Sequence, residues 1–194
     1  MAKSKPHNQG MPKKARIPAP ARSCRRVRYS VAMSLDGFIA GPNNEYDWII
    51  MDPSLDFASL FKQFDTLLMG RRTFEMARKG GGDTMSGMET IVFSRTLRPK
   101  DYPKVKITRK MVETISALKE KPGKDIWLFG GGELFRNVLD AGLIDSIEVA
   151  IIPVLLSEGV PLLPAGARSP ALLLTDSQTL PSGIVLLTYG VPER

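Results

Sequence analysis

The sequence predicts an α/β domain whose central sheet is mostly parallel and ends in an antiparallel edge. Three observations carry that prediction. Short apolar runs alternate with helix-patterned segments from residue 27 to residue 141, the mark of βα units around a parallel sheet. Two of the strand-to-helix junctions hold glycine, one at Gly70 and one at Gly130-Gly131-Gly132. Beyond Gly142, three strand-like runs follow one another with no helix between them, which favours antiparallel pairing.

The elements follow in order. Val27–Met33 reads as a strand. Leu35–Trp48 carries the turn signals Asp36-Gly37 and Gly41-Pro42-Asn43-Asn44 and reads as a loop. Ser54–Phe64 spaces Leu55, Ala58, Leu60, Phe61 and Phe64 as a helix does, with Ser54 placed to cap it. Thr66–Met69 is a buried strand and Thr73–Ala77 a short helix, followed by a glycine-rich link from Gly80 to Gly87. Thr90–Phe93 and Val105–Ile107 are strands, and Val112–Lys121 is a helix ended near Pro122-Gly123. Ile126–Phe129 is a strand and Glu133–Ala141 a helix stopped by Gly142. Ser146–Ile152, Ala171–Gln178 and Gly183–Tyr189 complete the sheet, the last two joined as a hairpin through Pro181-Ser182-Gly183.

Composition narrows the chemistry. A chain of 194 residues is long enough for one domain with a substantial core, and 43% hydrophobic with 24% charged residues is ordinary for a soluble protein. No apolar run approaches the ~20 residues that span a bilayer. The single histidine, His7, and the single cysteine, Cys24, both lie near the N-terminus. A Ser-His-Asp triad, a Cys-His pair, a His/Cys metal site and an internal disulfide are therefore not expected in the body. An enzyme built on this chain works through carboxylates, hydroxyls, backbone groups or a cofactor. Sparse cysteine fits a cytoplasmic location. The net charge of +7 is uneven: residues 1–28 hold nine Lys/Arg and no Asp/Glu, leaving 18 basic and 20 acidic residues in the rest. Residues 1–26, with Pro6, Pro12, Pro18 and Pro20, read as a basic disordered extension, and residues 27–194 as one domain. A nearly neutral body argues against nucleic acid as a partner.

The two glycine junctions carry the strongest functional signal. At a strand-to-helix turn, free backbone N–H groups meet the positive end of the helix dipole, and glycine admits a ligand close to the backbone. Gly70-Arg71-Arg72-Thr73 adds two guanidinium groups, which suit a phosphate dianion but oppose the helix dipole when no anion is bound. Ser94-Arg95 follows the strand Thr90–Phe93 at its carboxyl end, where open α/β sheets bind ligands. Two phosphate cradles and several arginines fit a dinucleotide with an extra phosphate. Asp36, Asp52 and Asp56 are the carboxylates placed to assist protonation; turn formation and helix capping are their alternative roles.

The order of motifs identifies a relationship. Val31-Ala32-Met33-Ser34-Leu35-Asp36-Gly37-Phe38-Ile39-Ala40-Gly41, Asp47-Trp48, Leu68-Met69-Gly70-Arg71-Arg72-Thr73, Ile91-Val92-Phe93-Ser94-Arg95 and Phe129-Gly130-Gly131-Gly132-Glu133-Leu134 together resemble the dihydrofolate-reductase-like superfamily. The likeness is greatest to the bacterial branch related to the reductase domain of riboflavin biosynthesis, and it covers residues 27–190. It implies an eight-stranded mixed sheet flanked by helices, and NADPH as hydride donor to a small pterin- or pyrimidine-like heterocycle or an imine. By the family pattern, Ala32 and Ile39 line the nicotinamide region and Trp48 the substrate. Gly70, Arg71, Arg72, Thr73, Ser94 and Arg95 hold the adenosine phosphates. Gly130, Gly131, Gly132, Glu133 and Leu134 hold the pyrophosphate and its ribose.

The chain also departs from true dihydrofolate reductases. Met88 falls near the place of their substrate-binding arginine, Asp47 replaces a proline before the tryptophan, and Ala150 falls near a threonine position. The favoured reading is thus an NADPH-dependent reductase that forms a homodimer, as the related branch does. A non-catalytic nucleotide-binding module of the same fold and a true dihydrofolate reductase are the alternatives.

Overall fold

A computed structural model describes residues 24–82 and 84–192; residues 1–23, where most of the expected extension falls, lie outside the described residues. The strands are β1 (Val27–Ser34), β2 (Phe38–Ala40), β3 (Phe64–Gly70), β4 (Glu89–Phe93), β5 (Lys106–Thr108), β6 (Asp125–Gly130), β7 (Ser146–Ile152), β8 (Val160–Pro161), β9 (Leu173–Thr179) and β10 (Val185–Gly190). The helices are α1 (Phe57–Phe61), α2 (Arg71–Lys79), α3 (Met111–Lys119) and α4 (Gly132–Asp140), with a 3-10 turn at Pro99–Asp101. Eight strands form one sheet in the order β5-β4-β3-β6-β1-β7-β10-β9. The first six positions pair in parallel, and β10 pairs antiparallel with both β7 and β9. This is the mixed sheet with an antiparallel C-terminal edge that the sequence predicts.

β1 lies between β6 and β7, with one face apolar and the other carrying Arg28, Ser30, Ala32 and Ser34. Its odd positions Val27, Tyr29, Val31 and Met33 face a core shared with Ile115 and Leu118 of α3 and Leu134, Phe135 and Val138 of α4. Tyr29 stacks on Phe135 with ring centroids 3.9 Å apart. The opposite face holds two smaller clusters. One gathers Phe64, Leu67, Met69, Val92 and Trp127 under Phe74 of α2. The other gathers Ile152, Leu180 and Ile184 with Ala32 and Trp48.

Several boundaries differ from expectation for physical reasons. The first helix is only Phe57–Phe61 and is capped by Asp56, not Ser54. Ser54 donates both its N–H and its hydroxyl to Asp52, which holds residues 52–54 in a turn, and Phe64 already belongs to β3. Part of the expected loop 35–48 forms the short strand β2, paired with β8 in a separate two-stranded sheet. Gly159 makes that approach possible, since a Cβ there would collide with the Ala40 carbonyl, and its φ is +149°. Gly142 ends α4 as expected: its φ is +69°, and Gly142 N–H and Leu143 N–H donate to the carbonyls of Leu139 and Val138.

Arg25 and Arg26, counted with the basic extension, belong to the folded body. The Arg25 guanidinium pairs with Asp65 and donates to the Lys124 carbonyl at 2.6 Å and to Thr66 Oγ1 at 2.7 Å. Arg26 pairs with Asp125 at 2.9 Å. Arg28 is buried on β1, donating to both carboxylate oxygens of Glu148 on β7 at 2.6 and 2.9 Å, with its guanidinium 4.6 Å from the centroid of the Phe64 ring. Burial alone would lower its pKa, but the hydrogen bonds and charges of Glu148 and Asp125 outweigh burial and raise it. Removing one partner of such a pair strands the other in a poorly solvated place. Arg28→Met is therefore expected to cost about 3–5 kcal/mol in urea unfolding, and the double variant with Glu148→Leu to recover most of that loss. Additive losses would show that the two side chains act independently.

Candidate functional site

The two glycine junctions are neighbours. β3 and β6 pair in parallel with Met69 opposite Gly130, so the chain leaves both strands at the same level of the sheet. Gly70 caps α2 and Gly131 caps α4, and neither helix has a side-chain hydrogen bond at its cap. Two helix N-termini thus present backbone N–H groups side by side, the arrangement that binds anions. α2 has no acidic residue in its first turn, and its N-terminus carries Arg71 and Arg72 instead. Their present partners are weak, exposed ones: Glu75 for Arg71 at 2.9 Å, and Glu133 for Arg72 at 3.4 Å across the gap between the helices.

The glycines have separable reasons. Gly130 has φ +145°, which disfavours any side chain, and the Gly130–Gly131 peptide is cis. A Cβ on Gly131 would stand 3.0 Å from Thr73 Oγ1, so glycine lets Thr73 of α2 approach the second junction. Gly132 is a packing glycine: its Cβ would lie 2.9 Å from the Pro161 carbonyl. Leu134 is buried, and its Cβ is 3.8 Å from where a Gly70 Cβ would be. Gly70, Thr73, Gly130, Gly131, Glu133 and Leu134 therefore do come together at one place.

Ser94 and Arg95 stand at the carboxyl end of β4, one strand outward from Gly70. The Ser94 hydroxyl is committed to its own turn, accepting from the N–H groups of Thr96 at 3.2 Å and Leu97 at 3.0 Å. The Arg95 side chain is exposed, and its carbonyl accepts from Arg109 Nη2 at 2.7 Å. Arg109 follows β5 directly and joins the same rim. The signal for it was a cation at a strand's carboxyl end, the feature already recognised at Arg95.

On the inner side of the groove, Ala32 of β1 pairs in register with Ala150 of β7 and packs with Trp48, Ile49 and Leu55. Trp48 Nε1 donates to the Glu45 carbonyl at 3.2 Å. Ile39 lies half-buried on β2. A separate aromatic cluster joins α1, β3 and β6. Trp127 is 7% exposed, donates Nε1–H to the Ser30 carbonyl at 3.1 Å, stacks with Phe61 and Phe64, and meets Phe129 edge-on. Phe61 was legible on a helix face with Leu55, Ala58, Leu60 and Phe64, but not its ring contacts with Phe57 and Trp127.

The three expected catalytic carboxylates do not converge. Asp36 accepts from Ser34 Oγ at 2.7 Å and from the N–H groups of Leu156 and Ser157 at 3.1 and 2.7 Å, tying the β1–β2 turn to the loop after β7. Asp52 accepts from Ser54 N–H and Oγ at 2.8 and 2.5 Å and from Ser182 N–H at 3.0 Å. Asp56 caps α1, accepting from Ser59 N–H at 2.9 Å and Ser59 Oγ at 2.6 Å. These hydrogen bonds hold all three pKa values below the usual carboxylate range, led by Ser34 for Asp36, Ser182 for Asp52 and Ser59 for Asp56. Each carboxylate is thus engaged as an anchor of its own turn, cap or loop contact. Among the described residues there is no cluster of three His, Cys, Asp or Glu that could hold a metal ion, and no helix long and apolar enough to cross a membrane.

An eight-stranded mixed sheet with two glycine junctions at its carboxyl edge defines an α/β protein of the dihydrofolate-reductase-like class. Residues 25–186 match the family model of the RibD C-terminal domain, and the chain belongs to that family. It is 36% identical to the uncharacterized protein YyaP of Bacillus subtilis (strain 168), over 85% of this chain and 94% of that one. A crystal structure of a Shewanella sp. PV-4 protein, provisionally named for riboflavin biosynthesis, superposes with a TM-score of 0.75 at 29% identity, covering 87% of this chain and 99% of that one. The diaminohydroxyphosphoribosylaminopyrimidine deaminase/5-amino-6-(5-phosphoribosylamino)uracil reductase of Thermotoga maritima shares the fold with a TM-score of 0.62 at 16% identity, covering 87% of this chain and 57% of that longer one.

The Asp52 anchor has a pH signature. A group whose folded pKa is depressed stabilises the fold above its unfolded pKa, near 3.9, and loses that contribution as pH falls through the folded pKa. Asp52→Asn is expected to lower the urea midpoint at pH 7. The gap to the unsubstituted protein should narrow steadily below about pH 4. A gap that stays constant with pH would remove the ionised anchor.

Proposed function

We propose that this protein is an NADPH-dependent reductase acting on a small heterocyclic substrate, pyrimidine- or pterin-like, or on an imine. The observation that carries the reading is the pair of helix N-termini without side-chain caps at Gly70 and Gly131, side by side, with Arg71 and Arg72 on the first turn of α2. The residues fit the cofactor: the N–H groups at Gly131 and Gly132 would take the pyrophosphate, and Arg71 and Arg72 the 2′-phosphate. The close approach at Gly130 and Gly131 leaves no side chain in the way. When bound, NADPH supplies a hydride from C4 of its nicotinamide. The chain itself binds, orients and excludes water. Ala32 and Ala150 pair in register across β1 and β7 and belong to the cluster that holds Trp48. With Asp36, Asp52 and Asp56 ionised and engaged, the proton that completes reduction comes from solvent.

Family membership and the pyrimidine chemistry in the Thermotoga relative's name support the substrate class. The engagement of the three carboxylates favours one second reading, a nucleotide-binding module without turnover. NADPH oxidation with a pyrimidine, pterin or imine acceptor separates the two readings.

The protein is also proposed to form a homodimer. β9 is exposed along its whole length and presents Leu173 and Leu174, a sheet edge that stable proteins usually cover. Light scattering is expected to give twice the chain mass, and a monomer mass would end the proposal. For the cofactor, fluorescence titration should show NADPH bound more tightly than NADH. Replacing Arg71 and Arg72 with alanine should weaken NADPH by at least about tenfold while changing NADH little, since charged hydrogen bonds are worth ~1.5–3 kcal/mol each. Equal losses for both nucleotides would overturn the 2′-phosphate assignment.

A further inference from the structure

Charge in the folded body is segregated. Residues 95–124 hold ten Lys/Arg and three Asp/Glu, a net of +7, whereas residues 24–94 and 125–194 together hold 11 Lys/Arg and 17 Asp/Glu, a net of −6. Those thirty residues run from the end of β4 through the 3-10 turn, β5 and α3 to the start of β6, and β5 is the outermost strand of the sheet. Arg98 is paired with Asp101, and Lys119 with Asp145. Lys100, Lys104, Lys106, Lys110 and Lys121 are exposed and form no ion pair among the described residues. Lys106, Lys110 and Lys121 line a groove of about 250 Å³ along α3, with Glu113 and Thr114 between them. A lysine on an edge strand also discourages strand pairing, which accounts for Lys106. It does not account for Lys110 and Lys121 on the helix side.

The patch runs into the glycine groove. Arg109 directly follows β5 and donates to the Arg95 carbonyl just beyond β4, and β4 pairs with β3, which ends at Gly70 before Arg71 and Arg72. Cations therefore continue from the sheet's outer edge to the two helix N-termini. A polyanion approaching the acidic remainder of the body is repelled, and one approaching this edge is attracted. Fields of this kind raise association rates and fade over a Debye length of about 10 Å at 0.1 M salt.

We propose that the β5–α3 edge is an electrostatic capture surface that collects the anionic dinucleotide and passes it, 2′-phosphate end first, to the groove at Gly70 and Gly131. The proposal rests on the dinucleotide reading of that groove. NADPH carries about four negative charges and NADH about two, because the 2′-phosphate adds nearly two. Capture therefore acts more strongly on NADPH, and it acts on the association rate, with little effect on dissociation.

Stopped-flow association of NADPH and NADH, read by tryptophan fluorescence at several salt concentrations, tests it. With the unsubstituted protein, the NADPH on-rate is expected to fall with salt about twice as steeply as the NADH on-rate, in proportion to ligand charge. The variant K104E/K106E/K121E, with circular dichroism to establish folding, is expected to bind NADPH at least about tenfold more slowly at low salt. Its dissociation rate should stay within about twofold, and its on-rate should converge on the unsubstituted value at high salt. The milder K104Q/K106Q/K121Q should fall between the two. Normal equilibrium binding with on-rates unchanged in these variants would overturn the capture surface alone. A loss confined to dissociation would also overturn it, by making the lysines direct contacts. No NADPH binding by the unsubstituted protein at any salt would remove both this proposal and the cofactor reading.

Discussion

The pairing of β3 with β6 is the constraint on which the rest of the site depends. Met69 opposite Gly130 brings both strands to their carboxyl ends at one level, and only then do α2 and α4 begin side by side. A slip of one residue in either strand would turn its apolar set to the wrong face and stagger the helix starts. The register is protected by what it buries: Leu68 and Leu128 face one core, while Met69 and Trp127 face the other. Given that register, the glycines follow. Thr73 reaches across the gap because Gly131 has no side chain, and the Pro161 carbonyl rests on Gly132 for the same reason.

The irregular segments above the strand ends are held by hydrogen bonds more than by apolar packing. Asp36 binds the first turn to Leu156 and Ser157, Asp52 binds its loop to Ser182, and Arg136 of α4 donates to the carbonyls of Pro164 and Ala167 at 2.9 and 2.7 Å. Carboxylates saturated by backbone N–H groups keep their charge balanced locally.

The fold was legible because its signals are local and repeated. Each βα unit announces itself by an apolar run, a glycine and a helical spacing, and the change beyond Gly142 marks the antiparallel edge. What escaped was short or non-local. β2 and β8 contain three and two residues, too few for any periodicity, and they exist because Gly159 permits contact with Ala40. The roles of Asp36 and Asp52 depend on partners about 120 and 130 residues away, which no spacing rule supplies. The aromatic cluster joins Phe61 of α1 to Trp127 and Phe129 of β6, a contact made by topology alone. Arg25 looked like part of a basic extension because composition says nothing of Asp65, its partner across the sheet.

Charge was misread for a different reason: every residue was visible, and the averaging window was wrong. A nearly neutral body suggests an indifferent surface, yet the parts that sum to it are +7 and −6 and occupy different places in the fold. Net charge governs solubility, whereas binding rates depend on the local field, which falls off over about 10 Å at ordinary salt. On that scale β5 and α3 form a separate electrostatic object from the rest of the sheet. Because the sheet order puts β5 outermost and leads through β4 to β3, the topology that builds the two glycine junctions also places the cations on the side that leads to them.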